Sequence, residues 1–174
     1  VLLSGCASTS SVIKPSSVSA QSVVINDRAI IAQMTAKATK MMDSDSVVEM
    51  EELIEKLVKQ PKADLKLPKT KLSNAEEARK AVAVVGGVYK CNKCTRWHVA
   101  PASGFLIAED LVVTNYHVVN NPERSSMAVR FFDGRVFMVE DVVASSERYD
   151  LAVLRVPKTG IKPIALGPEA PVGS

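Results

Sequence analysis

Apolar and polar positions follow two different periods along the chain. Between residues 26 and 60, Ile30, Ile31, Met34, Ala38, Met41 and Met42 recur at spacings of three and four, and so do Val47, Met50, Leu53, Ile54, Leu57 and Val58. That period is helical, and it predicts two amphipathic helices separated by Asp43-Ser44-Asp45-Ser46. Ser46 and Glu49 make a capping box for the second helix. Glu49, Glu51 and Glu52 fall early in it and Lys56 and Lys59 late, as its dipole favours, and Pro61 ends it. The simplest expectation is an α-helical hairpin over residues 26–60 whose two apolar stripes pack together. Residues 61–72, rich in lysine and proline, read as a linker, and Ser73 with Glu76 caps a short helix from Asn74 to Lys80.

Beyond residue 80 the period shortens to two and β-branched residues take over. Ala81 to Tyr89 is one such run, in which Gly86-Gly87 marks a bulge or a bend. Phe105-Leu106-Ile107 and Leu111-Val112-Val113 flank the polar pair Glu109-Asp110, the pattern of a tight hairpin. Met127 to Phe132 and Arg135 to Val143 are joined by Asp133-Gly134, a strong hairpin turn. Ser145-Ser146-Glu147-Arg148 forms a polar loop, Leu151 to Val156 is the next strand, and Pro157 closes it. The fold class is therefore mainly β: about six short strands, forming a small closed barrel of Greek-key character behind the helices.

Three motifs carry candidate chemistry in this half. Gly104-Phe105 precedes the hairpin, Thr114-Asn115-Tyr116-His117-Val118 follows it, and Asp150-Leu151-Ala152-Val153-Leu154 comes later. In this order they resemble the trypsin-like serine peptidases, especially the bacterial HtrA-like branch, over roughly residues 81–167. The resemblance implies a two-barrel peptidase in which His117 and Asp150, both in the first barrel, are the base and the orienting acid of a Ser-His-Asp triad. It places the N-terminal barrel of such a domain at residues 73–174.

The residues themselves weigh the same way. A lone histidine is more often structural than catalytic, but His117 lies where a strand ends, with polar rims of the barrel available to bring Asp150 beside it. An aspartate there would fix the imidazole tautomer and stabilise the imidazolium, leaving Nε2 to take a proton from a hydroxyl. His98, the other histidine, precedes Gly104 and so falls ahead of the hairpin. Asp133 is explained by its turn, and Glu140 and Asp141 by a strand flank. Of the serines at 103, 125, 126, 145, 146 and 174, none stands in a Gly-x-Ser-Gly setting. The second barrel, with the nucleophile, the oxyanion hole and the specificity pocket, is expected beyond Ser174. The expected function is serine endopeptidase activity on polypeptides in a longer parent, with residues 1–174 alone inactive. A cysteine nucleophile in the second barrel and a catalytically inactive binding module of the cell envelope are the alternatives; a structural envelope lipoprotein is a third view.

Cys91-Asn92-Lys93-Cys94, with His98 beyond it, offers two thiolates and an imidazole at a spacing suited to zinc, with no evident fourth ligand. In an exported protein such a pair is more often oxidised, so a local disulfide ranks first, zinc second and thiol redox chemistry third. No other cofactor is expected.

An export address comes from Leu3-Ser4-Gly5-Cys6, which resembles the lipobox of a bacterial lipoprotein signal and makes residues 1–6 a signal remnant with Cys6 as the lipidated residue. Residues 7–25 are serine-rich and read as a tether from the membrane surface. The expected location is the cell envelope, on the periplasmic side of the outer membrane if the source is Gram-negative, with anchoring by lipid at Cys6. Composition agrees with a globular domain, at 47% hydrophobic and 24% charged residues. A net charge of +3 with no basic, aromatic-laced run argues against nucleic acid as a partner. The methionine-bearing helices are open to two readings, an oligomerisation or partner surface, and a spacer or a cover for one apolar face of the barrel.

Overall fold

The computed structural model describes residues 26–43, 47–65, 67, 75–164 and 166. Cys6, the tether, the capping serines Ser46 and Ser73, part of the linker and Ser174 lie outside the described residues. Helices α1 (Asp27–Met42), α2 (Met50–Val58) and α3 (Ala75–Ala81) precede β1 (Val82–Lys90), β2 (Trp97–Ala108) and β3 (Leu111–Thr114). A one-turn helix α4 (Tyr116–Val119) leads to β4 (Ser126–Phe131), β5 (Val136–Met138), β6 (Asp141–Ser146) and β7 (Leu151–Arg155). All strand pairs are antiparallel, in the order β5-β4-β1-β2-β3-β7-β6.

The two ends of that order are consecutive in sequence, and this closes the sheet. Val139 N–H donates to Met127 O on β4 at 2.9 Å, while the next amide, Glu140, donates to Arg155 O on β7 at 2.8 Å. The segment read from sequence as one strand is thus bent at Val139-Glu140 and changes partner there. Counting β5 and β6 as one bent strand gives the six of the expectation; the ladder itself breaks it into seven separate pieces. The corner keeps Val139 and Val142 in the core, where Val85, Leu106, Val112, Met127, Val129, Phe131 and Leu154 are fully buried.

Both turns stand where the sequence placed them, the second widened by Phe132, which leaves the strand. Ala108 pairs with Leu111 across Glu109-Asp110, and Gly134, at φ +83°, donates to Phe131 O at 2.9 Å. The bulge or bend at Gly86-Gly87 is not found. Both glycines pair in regular register with β2 and β4, and they are there for room. A Cβ on Gly86 would come 2.3 Å from Val99 Cγ1 and 3.1 Å from Met34 Cε, and one on Gly87 would meet Arg124 Cγ at 2.7 Å. Neighbours from α1 and from the loop before β4 occupy the space that side chains would need.

The helices do not form a hairpin packed on itself. Met34 and Ala38 of α1 are buried with Val88, Val99, Ala128 and Val136, whereas Met50, Leu53 and Leu57 of α2 join the main core. Each stripe faces the sheet, which offers more apolar area than one short helix could. Helix α2 is also tied at both ends. Ser126 Oγ donates to Val48 O at 2.8 Å and Met50 N–H to Ser125 O at 2.9 Å. At the other end Ser145 Oγ donates to Leu57 O at 2.7 Å and Ser145 N–H to Pro61 O at 3.1 Å. The helical segment is thus a cover for the barrel, the second of the two readings open in the sequence.

Leu53, fully buried, and Val58, half exposed, separate this reading from that of a spacer. Leu53→Ala is expected to cost about 2–5 kcal/mol of unfolding free energy and Val58→Ala less than about 0.5 kcal/mol, read by chemical denaturation. A Leu53→Ala chain as stable as the parent would mean that α2 does not share the barrel core.

Candidate active site

The β3–β7 ladder decides where the site forms. Leu111 pairs with Arg155, Val112 with Leu154, Val113 with Val153 and Thr114 with Ala152. Running that antiparallel register two residues further brings position 116 opposite position 150, so β3 ends and β7 begins at one rim. Thr114 Oγ1 donates to Ser103 O at 2.9 Å and pins the end of β3 to β2. Gly104 beside it leaves no space for a Cβ, which would lie 2.7 Å from Val113 O and 2.6 Å from Val85 Cγ2.

After Thr114 the chain turns into α4. Tyr116 and Val119, three apart, are buried, and Asn120 N–H closes the turn on Tyr116 O at 2.9 Å. Burial of that pair turns His117 outward, and its side chain is 71% exposed. Burial, with a further contribution from the Glu147 charge, raises the pKa of the Tyr116 phenol. On the other side, the turn before β7 closes through Asp150 N–H to Glu147 O at 3.0 Å, with Asp150 at φ +51°. Aspartate tolerates that left-handed conformation better than most residues.

His117 and Asp150 meet directly. Nδ1 of His117 lies 2.8 Å from Asp150 Oδ2, and the His117 backbone N–H donates to Oδ1 at 3.0 Å. Asn115 Nδ2 donates to Oδ2 at 3.0 Å and to the Asp150 carbonyl at 3.2 Å. The backbone bond from His117 chiefly, then the bond and charge of its imidazole and the bond from Asn115, hold the Asp150 carboxyl below its ordinary value of 3.8. An ionised carboxylate only accepts, so Nδ1 carries the ring proton and Nε2 is left as the basic nitrogen. Among the described residues no hydroxyl bonds Nε2, and Ser126 and Ser145 are engaged with α2.

The sequence named His117 and Asp150 and missed Asn115, whose amide clamps Asp150. Its place immediately before the histidine, at the end of β3, was the available signal. The expectation that barrel closure joins two rims gives way to a simpler cause, direct pairing of β3 with β7.

A second cluster sits at the far end of the β1–β2 hairpin. Cys94 Sγ is 3.2 Å from Cys91 Sγ and 3.1 Å from His98 Nε2. The disulfide expected there is not formed in this structure, in which both cysteines are free thiols. Hydrogen bonds, first from His98 and then from the Arg96 backbone and Cys91, lower the Cys94 thiol to about 6. His98 is thus drawn to the thiols, far along β2 from Gly104, and does not approach Asp150. Two clefts among the described residues, of about 500 and 840 Å³, are lined by other residues than either cluster.

The antiparallel barrel, with this histidine and aspartate at one rim, resembles the N-terminal barrel of a trypsin-like serine peptidase. Residues 102–174 match the family model of the trypsin-like peptidase domain. The chain is 43% identical over 68 residues to the mitochondrial serine protease HTRA2 of Drosophila pseudoobscura pseudoobscura and to that of Drosophila grimshawi, and 41% identical to that of Drosophila ananassae. In each case the match covers 37% of this chain and 15% of the relative, so the chain spans a small part of the relatives' length.

Because the carboxyl of Asp150 is held down in the folded chain, its contribution to stability is present above the unfolded value and is lost as pH falls through the folded one. Asp150→Asn should therefore reduce stability where the carboxylate is ionised and by a shrinking amount below about pH 4. Urea unfolding of both chains from neutral to strongly acid pH reads the gap; a gap that does not narrow in acid would contradict the ionised-carboxylate geometry.

Proposed function

We propose that this chain supplies the base and the orienting acid of a serine endopeptidase whose nucleophile lies outside residues 1–174. The observation that carries the reading is the Nδ1 contact of His117 with Asp150 at 2.8 Å, with the His117 amide on the other carboxylate oxygen. This is the pairing that fixes an imidazole with Nε2 directed at an incoming hydroxyl. Similarity to the HTRA2 serine proteases supports the same assignment.

In the reaction so assigned, Nε2 of His117 takes the proton of the serine hydroxyl as its oxygen bonds to the peptide carbonyl carbon. The same proton passes to the leaving amine as the C–N bond breaks. A water then attacks the acyl-enzyme, giving one proton to Nε2 and, through it, to the departing serine oxygen. Asp150 stays ionised throughout and stabilises the imidazolium. The 71% exposure of His117 leaves its Nε2 side open to a partner barrel, and Tyr149 and Leu151, exposed at 67% and 45%, flank Asp150 as apolar surface for such a partner.

The test is the protein expressed through its own reading frame and stop codon, assayed on casein and on a quenched peptide. His117→Ala should lower kcat/KM by about 10⁴-fold or more, while residues 1–174 alone should hydrolyse neither substrate. Hydrolysis by the longer protein that survives His117→Ala would sink the triad assignment. Hydrolysis by residues 1–174, abolished by His117→Ala, would overturn the placement of the nucleophile elsewhere.

A further inference from the structure

We propose that Cys91, Cys94 and His98 form a zinc site that braces the tip of the β1–β2 hairpin, with the fourth position taken by water. The proposal is independent of the peptidase reading. One ligand atom from each of the three residues lies within 4.8 Å of the others, the sole such group of three among the described residues. Two sulfurs and one imidazole nitrogen are a donor set that selects zinc over hard cations.

The local backbone supports ligation. The loop turns tightly, with Cys94 N–H donating to Cys91 O at 3.3 Å, and Lys93 N–H points at Cys91 Sγ at 3.3 Å. An amide aimed at a sulfur stabilises the negative charge of a thiolate, whereas a disulfide sulfur accepts hydrogen bonds poorly. His98 enters from the first residues of β2, opposite Tyr89, whose ring lies 5.5 Å away and is itself covered by the Arg124 guanidinium at 4.4 Å. The imidazole is therefore held by packing on the face of β2 that turns it toward the thiols.

The distances need only a small adjustment. Tetrahedral zinc with Zn–S of about 2.3 Å and Zn–N of about 2.0 Å sets S···S at about 3.8 Å and S···N at about 3.5 Å. The contacts at 3.2 and 3.1 Å open by about half an ångström, which rotation about two cysteine side chains supplies. As the Zn–S bonds form, protons on the thiols leave to solvent, and two thiolates neutralise the divalent ion. The bound centre then carries no net charge in a loop whose sequence also holds Lys90, Lys93 and Arg96.

The brace would act on α1. Trp97 and Val99, just past the loop, pack in the cluster that holds Met34 and Ala38. Fixing His98 between them fixes that stretch of β2.

The experiment uses the whole chain, purified without chelator, with zinc alone as the probe. One zinc per chain is expected, and a Co²⁺-substituted sample should show tetrahedral d–d bands and a thiolate-to-cobalt charge-transfer band. Cys6→Ser should keep that band. Cys94→Ser should weaken zinc binding by about 100-fold and His98→Asn by about 10-fold or more, with circular dichroism confirming the fold. Chelation should lower Tm by about 5 °C or more. Metal-free chain whose mass shows Cys91 and Cys94 joined by loss of two hydrogens would overturn the site. So would zinc content unchanged by both substitutions. If neither variant folds, absence of the charge-transfer band from the unsubstituted chain would overturn it equally.

Discussion

The antiparallel register of β3 on β7 is the constraint on which the site depends. With Thr114 opposite Ala152, the first residues after one strand and the last before the other share a rim, and His117 reaches Asp150 without any long-range folding of loops. Side chains alternate faces along a strand, so a slip of one residue would turn Leu154 and Ala152 out of the core and carry Asp150 past the histidine. The core thus holds the site indirectly. Leu106, Val112 and Leu154 are buried, and their burial selects the register that juxtaposes two polar residues at the surface.

Closure of the sheet at Val139-Glu140 and the cover supplied by the helices serve the same register. The corner sends successive amides to β4 and β7, so neither β4 nor β7 is left with an unpaired edge there. Helix α2 lies against the core beneath α4, where Val119 and Tyr116 belong to the cluster that contains Leu53 and Leu57. Ser126 and Ser145, two of the serines weighed as nucleophiles from sequence, are the barrel's hold on that helix. Their hydroxyls donate to carbonyls at the two ends of the helical segment, Val48 O and Leu57 O.

What could be read from sequence was what is local. Glu109-Asp110 and Asp133-Gly134 were legible because turn chemistry is set by the turn residues, and the helices because their periods are written over many positions. The pairing of His117 with Asp150 came from motif resemblance, and register explains it only once β3 and β7 are seen side by side. What sequence misplaced was tertiary. Two amphipathic stripes do not say what they face, so a hairpin was expected where each helix covers the sheet. Gly86-Gly87 suggested a local bend because the claims of Val99, Met34 and Arg124 on that space come from residues distant in sequence. Asn115 carried no separate signal beyond its place in the motif, since its partner lies 35 residues away.

If register alone sets the site, this barrel by itself holds the imidazole of His117 in one tautomer against Asp150. The direct measurement is the ¹⁵N spectrum of the chain labelled at histidine, recorded in alkaline buffer, with Asp150→Asn as reference. His117 is expected as the Nδ1–H tautomer, with Nε2 unprotonated, and Asp150→Asn should release this preference. A His117 found mainly as the Nε2–H form, unchanged by that substitution, would contradict the geometry from which the site was built.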